Sequence, residues 1–173
     1  MSAFVDTSVV VYAYSTTDLR KAEIARDVLR MPGAWISTQV LSELSNVSQR
    51  KLGMPAQEIA KAVRQLVETR RVLVVQVEHI VAALELGRRY HYSYYDSLII
   101  ASARAVGATI LYTEDLHTGQ TIEGNLRIVS PFAPAARQPR AAYRTGRSAR
   151  SDDLPKLTPQ PAANRRRTAA SAK

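Results

Sequence analysis

Four acidic residues of this 173-residue chain stand where a fold would not ordinarily leave a negative charge. Asp6 directly follows the short β-rich pair Phe4-Val5, and Asp115 comes just past the run Ala108 to Tyr112. Asp96 opens a helical stretch with Ile99, Ile100 and Ala103 at i+3, i+4 and i+7, so its carboxylate falls on the apolar stripe. Glu43 has the same conflict, with Val40 at i−3 and Val47 at i+4. An ionised carboxylate on a core-facing stripe must be paired, protonated or metal-bound. Basic partners are scarce in these stretches, since Arg50 and Arg104 lie two turns further along. Acids gathered without matching bases suit a hard divalent cation such as Mg²⁺ or Mn²⁺. Each acid also has a plainer reading. Asp6 could be a helix N-cap, Asp96 could answer Ser93 in a capping box, Asp115 could hold an Asx-turn, and Glu43 could sit half exposed on its helix.

The elements that must position these acids alternate between short strands and helices. Phe4-Val5, Trp35-Ile36, Val72 to Val77, Ala108 to Tyr112 and Leu126 to Val129 read as strands. The run Val72 to Val77 is the clearest of them, apolar on both faces as a covered parallel strand is. Between them, helical spacing runs over Asp18 to Leu29, Val40 to Val47, a stretch starting at Pro55, Ile80 to Tyr90 and Ser93 to Val106. Pro55 fits the first helical position, and Gly53 and Gly107 are natural stops. Strands separated by helices imply a parallel sheet covered on both faces, with ligands bound beyond the carboxyl ends of its strands. Asp6 and Asp115 both belong at that edge.

Charge divides the chain into two parts. Residues 137–173 hold ten Lys and Arg against Asp152 and Asp153, whereas residues 1–136 hold fourteen basic and thirteen acidic residues. The formal charge of +9 therefore lies mainly in an Ala/Arg/Pro/Ser-rich tail with three large apolar residues, Tyr143, Leu154 and Leu157. Such a tail is expected to be disordered and to add non-specific affinity for nucleic acid, and the expected domain is 1–136. The chain has no cysteine, which excludes disulfides, a thiolate zinc site and a thiol nucleophile. No run approaches the length of a membrane span, and Met1 to Asp6 lacks the basic region of a secretory signal. A cytoplasmic protein that does not enter the membrane is expected.

Phe4-Val5-Asp6-Thr7-Ser8-Val9, Thr38-Gln39-Val40-Leu41-Ser42-Glu43-Leu44, Tyr92 to Ala101 and Leu111 to Leu116 resemble, in order and spacing, the four signature segments of PIN-domain nucleases. The domain is most similar to the VapC toxins of bacterial toxin–antitoxin pairs, over about Ser2 to Phe132. The resemblance implies a three-layer α/β/α fold with a central, mainly parallel sheet flanked by helices. It also implies a Mg²⁺- or Mn²⁺-dependent endoribonuclease whose acidic quartet is Asp6, Glu43, Asp96 and Asp115. Thr7 or Ser8 and Thr113 match its orienting hydroxyls, and Glu114 is a further ligand candidate through water. Tyr95 stands where the family often has Trp. An RNA substrate, a VapB-like antitoxin and a homodimer are the partners so implied. Metal-activated water would cut the phosphodiester to leave a 5′-phosphate and a 3′-hydroxyl, with no covalent protein intermediate.

Other classes fit less well. A haloacid-dehalogenase-like phosphatase using Asp6 would need a second Asp at position 8, which is Ser8, and a receiver domain would need an adjacent acid pair. A PIN nuclease that is not a toxin, or an RNA-binding PIN module without catalysis, stays open as an alternative. His79 and His91 belong to no catalytic pattern, and His117 reads as an exposed loop residue near the acids. Arg50-Lys51, Arg70-Arg71 and Arg88-Arg89 are candidate phosphate contacts.

Overall fold

The computed structural model describes residues 2–133, so the boundary after residue 136 and the tail 137–173 lie outside the described residues. Twelve elements follow in chain order. They are β1 (Ala3–Val5), α1 (Thr7–Ala13), α2 (Leu19–Arg30), β2 (Ala34–Ser37), α3 (Thr38–Arg50), α4 (Ala56–Thr69), β3 (Arg71–Leu73), α5 (Val77–Tyr90), α6 (Tyr94–Ala105), β4 (Ile110–Tyr112), β5 (Thr121–Ile122) and β6 (Leu126–Val129). The strands form one sheet in the order β3-β2-β1-β4-β6-β5. Every neighbouring pair is parallel except β5–β6. This is the expected mainly parallel sheet within an α/β/α fold.

The order reverses direction at β1, because β2 lies on one side of it and β4 on the other. Val5 is in register with Tyr112, so the residues that leave these two strands emerge side by side. The Asp6 N–H still donates to the Tyr112 carbonyl at 2.9 Å, carrying the pairing one residue past β1. Open α/β sheets bind ligands at this kind of switch point. Apolar side chains with no exposure fix the strands there, including Phe4, Val5, Ile36, Leu111 and Ile128. Local chemistry starts the helices: Asp18 accepts from Lys21 N–H at 2.9 Å, Ser37 from Val40 N–H at 3.4 Å, and Ser93 from Asp96 N–H at 3.2 Å.

Two expectations are corrected. Pro55 is the N-cap of α4 and not its first helical residue. The run Val72 to Val77 is not a long covered strand. Only Arg71–Leu73 pair with β2, at the sheet's edge. Past Leu73 the chain leaves the sheet, with Val75 N–H donating to Thr38 Oγ1 at 3.1 Å, and Val77 already begins α5. An edge strand has a partner on one side only, so this side-chain bond competes effectively with further pairing. The α5 helix packs on α6 through a small-residue face. A Cβ at Gly87 would come within 3.2 Å of Ser97 Oγ, and Ala83 and Leu86 are buried. The opposite face of α5 carries Val77, Ile80, Val81 and Leu84, which are between 37% and 69% exposed.

Candidate active site

Asp6, Glu43, Asp96 and Asp115 line a single cavity of about 370 Å³, together with Glu114. They arrive from the end of β1, the second turn of α3, the first turn of α6 and the loop after β4. The quartet expected from the sequence is thus brought to one place. Two of the plainer readings hold as well. Asp6 caps α1 and Glu43 is half-buried, whereas the cap of α6 is Ser93, whose hydroxyl also donates to Asp96 Oδ2 at 2.7 Å. In the loop of Asp115 the turn belongs to Thr113, whose Oγ1 accepts from Asp115 N–H at 3.1 Å. A capping role and a place in the cavity are compatible, because the N-cap position puts a carboxylate at the strand–helix junction.

Asp6 is the innermost of the four, at 7% exposure. Its Oδ1 accepts from Thr7 N–H at 2.6 Å, and its Oδ2 accepts from the hydroxyls of Ser8 at 3.0 Å and Thr113 at 2.7 Å. Burial nonetheless pushes its pKa from 3.8 up to about 6, against the three hydrogen bonds, with Asp115 adding a smaller upward push. Asp115 is more exposed, and its pKa is raised first by desolvation and then by Asp96 and Glu114. Burial is the first cause of both shifts, and neighbouring carboxylates add to each.

The hydroxyls divide the orienting work. Thr7 Oγ1 donates to Glu43 Oε2 at 2.8 Å, whereas Ser8 serves Asp6 and also accepts from Glu114 N–H at 3.1 Å. Gln39, which sequence reading passed over, donates its amide to Glu43 Oε1 at 2.8 Å and to the Tyr95 carbonyl at 3.2 Å. One turn separates Gln39 from Glu43, and that i,i+4 spacing was the available signal. Lys21 was also missed. Its ammonium pairs with Glu114 and donates to Tyr12 Oη at 2.9 Å, lying over the Tyr12 ring. Glu114 therefore borders the cavity as one half of an ion pair.

Of the candidate phosphate contacts, only Lys51 lines the cavity. Arg70 donates to the Leu29 carbonyl, Arg71 lies over the Trp35 ring, and Arg89 pairs with Glu123 at 2.8 Å. His117 is exposed and does not line the cavity.

Among the described residues, no three carboxylate or imidazole groups are drawn as close together as direct ligation of one ion requires. The donor chemistry still fits a hard divalent cation. The acids are all oxygen donors, no imidazole or thiol lines the cavity, and the buried Asp6 anion is disfavoured as it stands. Mg²⁺ in particular keeps several waters and takes few carboxylates directly, which a cavity of this size accommodates.

The cavity thus lies at the sheet's switch point and is lined by five acids, Asp6, Glu43, Asp96, Glu114 and Asp115. The chain belongs to the PIN domain family, whose sequence profile matches residues 3–121. Among solved structures it is similar to VapC20 of Mycobacterium tuberculosis, a sarcin–ricin-loop-cleaving toxin. That pair shares 28% identity over 66% of this chain and 92% of the toxin, with a TM-score of 0.56. It is similar in fold to a toxin–antitoxin complex from Klebsiella pneumoniae, at 19% identity, 76% and 98% coverage and a TM-score of 0.58. VapBC2 from Rickettsia felis, bound to a promoter DNA fragment, shares the fold at 20% identity, 66% and 89% coverage and a TM-score of 0.51. No curated protein matches the chain. Among the described residues, no helix is long and apolar enough to cross a membrane.

Proposed function

We propose that this chain is a divalent-metal-dependent endoribonuclease, the toxin of a VapBC-type toxin–antitoxin pair that acts in the cytoplasm. The observation that carries the reading is the convergence of Asp6, Glu43, Asp96 and Asp115 on one cavity at the sheet's switch point. Similarity to VapC20, which cleaves RNA at the sarcin–ricin loop, supports the substrate class. Asp6, Asp96, Asp115 and Glu43 would hold Mg²⁺ or Mn²⁺, Glu43 directly or through water. When bound, such an ion supplies an activated water for in-line attack and positive charge for the phosphorane.

The chain's own residues prepare the site. Ser8 and Thr113 fix Asp6 from one side and Thr7 N–H from the other, so its oxygens cannot rotate away from the cavity. Thr7 and Gln39 each donate to one oxygen of Glu43, which fixes the plane of its carboxylate. Lys21 keeps Glu114 neutralised at the mouth, which lessens repulsion of an incoming phosphate. The products expected are a 5′-phosphate and a 3′-hydroxyl.

A VapB-like antitoxin would lay an extended or helical segment along the cavity and mask the acids, a partner supported by the likeness to toxin–antitoxin complexes. A second copy of this chain is the partner we assign to the exposed stripe Val77, Ile80, Val81 and Leu84 of α5. Residues 1–136 would then be the nuclease domain and 137–173 a basic appendage. The decisive experiment incubates the full chain with structured RNA and Mg²⁺, then repeats it with EDTA and with Asp6→Asn or Asp96→Asn. Cleavage that requires the metal and both acids is expected. Cleavage that survives EDTA and both substitutions overturns the reading.

A further inference from the structure

Tyr95 is 64% exposed although it stands directly before Asp96 and lines the acidic cavity. A tyrosine so placed gains little from burial, and an aromatic ring in a cavity with five carboxylates is not explained by packing. Its ring is braced all the same. Tyr94, itself 40% exposed, meets it edge-on at a centroid distance of 5.3 Å and an interplanar angle of 68°. Its backbone is braced too, since the Gln39 amide that donates to Glu43 also donates to the Tyr95 carbonyl. A side-chain bridge between α3 and α6 therefore ties the backbone that carries the ring to Glu43.

We propose that Tyr95 is the stacking platform for the base next to the phosphate held at the acids, so that the site selects RNA whose bases are already unstacked. The proposal rests on the endoribonuclease reading and adds the element that chooses among RNA conformations. An acid-lined cavity gives a polyanion no electrostatic welcome of its own. A π-face supplies affinity that does not depend on charge and tolerates any base. Stacking on an exposed ring requires a base free of its helical neighbours, which a loop or single strand provides and a continuous duplex does not. Tyr94 limits the ring's freedom before the base arrives, which lowers the entropy lost on binding.

The test uses the full chain in EDTA, so that nothing is cut, with single-stranded RNA decamers carrying 2-aminopurine at successive positions. Binding to the wild-type protein should quench the fluorophore most strongly at one position, and Tyr95→Phe and Tyr95→Trp should keep that quenching. Tyr95→Ala should abolish it and weaken binding by about tenfold or more. The positional readout separates stacking at one ring from non-specific attraction by the basic residues 137–173. In Mg²⁺, Tyr95→Ala should raise KM for looped RNA far more than it lowers kcat. Cleavage by the wild type combined with unchanged quenching and KM in Tyr95→Ala overturns the platform alone. The same is true if Tyr95→Ala changes the protein's mass in solution and leaves RNA binding unaltered. No metal-dependent cleavage by the wild type overturns the nuclease reading as well.

Discussion

Asp6 and Leu84 occupy opposite sides of the surface from those that burial rules would give them: the carboxylate is 7% exposed and the leucine 59%. Around Asp6, the first turn of α1 and the residues after β4 spend three hydrogen-bond donors to keep a buried acid in place. Around Leu84, α5 turns Val77, Ile80 and Val81 outward while its small-residue face packs on α6. Neither arrangement serves the stability of an isolated chain. Both make sense if something else completes them, an ion and a phosphate in the first case and a protein surface in the second. The contrast also separates the means of completion, since one region is preorganised by directional bonds and the other presents only shape and apolar area.

The largest effect should come from the acids. Asp6→Asn keeps the acceptor for Thr7 N–H and the shape of the side chain, but removes the negative charge. Metal-dependent cleavage should fall by at least about 10²-fold, as loss of one preorganised electrostatic group does. The folded fraction in EDTA at neutral pH should not fall. If that variant cuts RNA at the wild-type rate, the directional bonds around Asp6 serve folding alone.

The next effect is on stability without metal. The pKa of Asp6 is about 6 in the folded chain, against 3.8 for the free side chain. Between these values the folded state holds a proton that the unfolded state has released. The contribution of Asp6 to stability in EDTA should therefore be most favourable below about pH 4, decline as pH rises to about 6, and level off above it, by on the order of 3 kcal/mol in all. Denaturant unfolding at several pH values measures this. The stability of the wild type relative to Asp6→Asn should show that decline, and a difference that stays flat across the window would contradict the cost assigned to the buried anion. Added Mg²⁺ at pH 7 should recover stability in the wild type and less in the variant.

Thr7→Val tests orientation rather than charge. It removes the hydroxyl that donates to Glu43 Oε2 and leaves the N–H that serves Asp6. Outer partners of metal-binding groups are worth about 10- to 100-fold in affinity or activity. A loss in that range, read from Mg²⁺ titrations of cleavage and smaller than that of Asp6→Asn, is expected. An unchanged Mg²⁺ requirement would show that Gln39 alone suffices to hold Glu43.

How much of this was legible in the residue order follows from distance along the chain. Asp6, Thr7 and Ser8 follow a strand directly, so both the junction and its place at the sheet edge could be read locally. The same is true of Asp96 beside its cap Ser93. The pairing of Lys21 with Glu114 could not be read, because 93 residues separate them and only the packing of α2 near the β4 loop joins them. Gln39 lay within a helical repeat of Glu43, but its second bond, to Tyr95, depends on how α3 meets α6. The run Val72 to Val77 misled for a related reason. Its apolar content was real, but it leaves the sheet after two residues, where a side chain from α3 takes the Val75 N–H, and exposure of Val74 at the sheet edge has no local signature. Periodicity likewise marks α5 as amphipathic without saying which of its faces another element of the same chain will cover.

The smallest effect is expected on the outer face of α5, and its smallness is what makes it informative. Leu84→Lys places a charge where the side chain already meets solvent, so folding stability should change by no more than about 0.5 kcal/mol. Leu86, two residues on and only 3% exposed, gives the opposite expectation: Leu86→Lys should cost several-fold more, since it buries an unpaired ammonium against α6. If a second copy covers the stripe, Leu84→Lys should also convert the protein to a monomer in sedimentation at concentrations where the wild type is dimeric. Isolated leucines at a surface are common, but four apolar side chains at i, i+3, i+4 and i+7 form one continuous ridge, and a charge in its middle would have to be desolvated by any partner. A large stability loss in Leu84→Lys would mean that this face is packed within the chain itself, whereas an unchanged mass would leave the ridge without the second copy assigned to it.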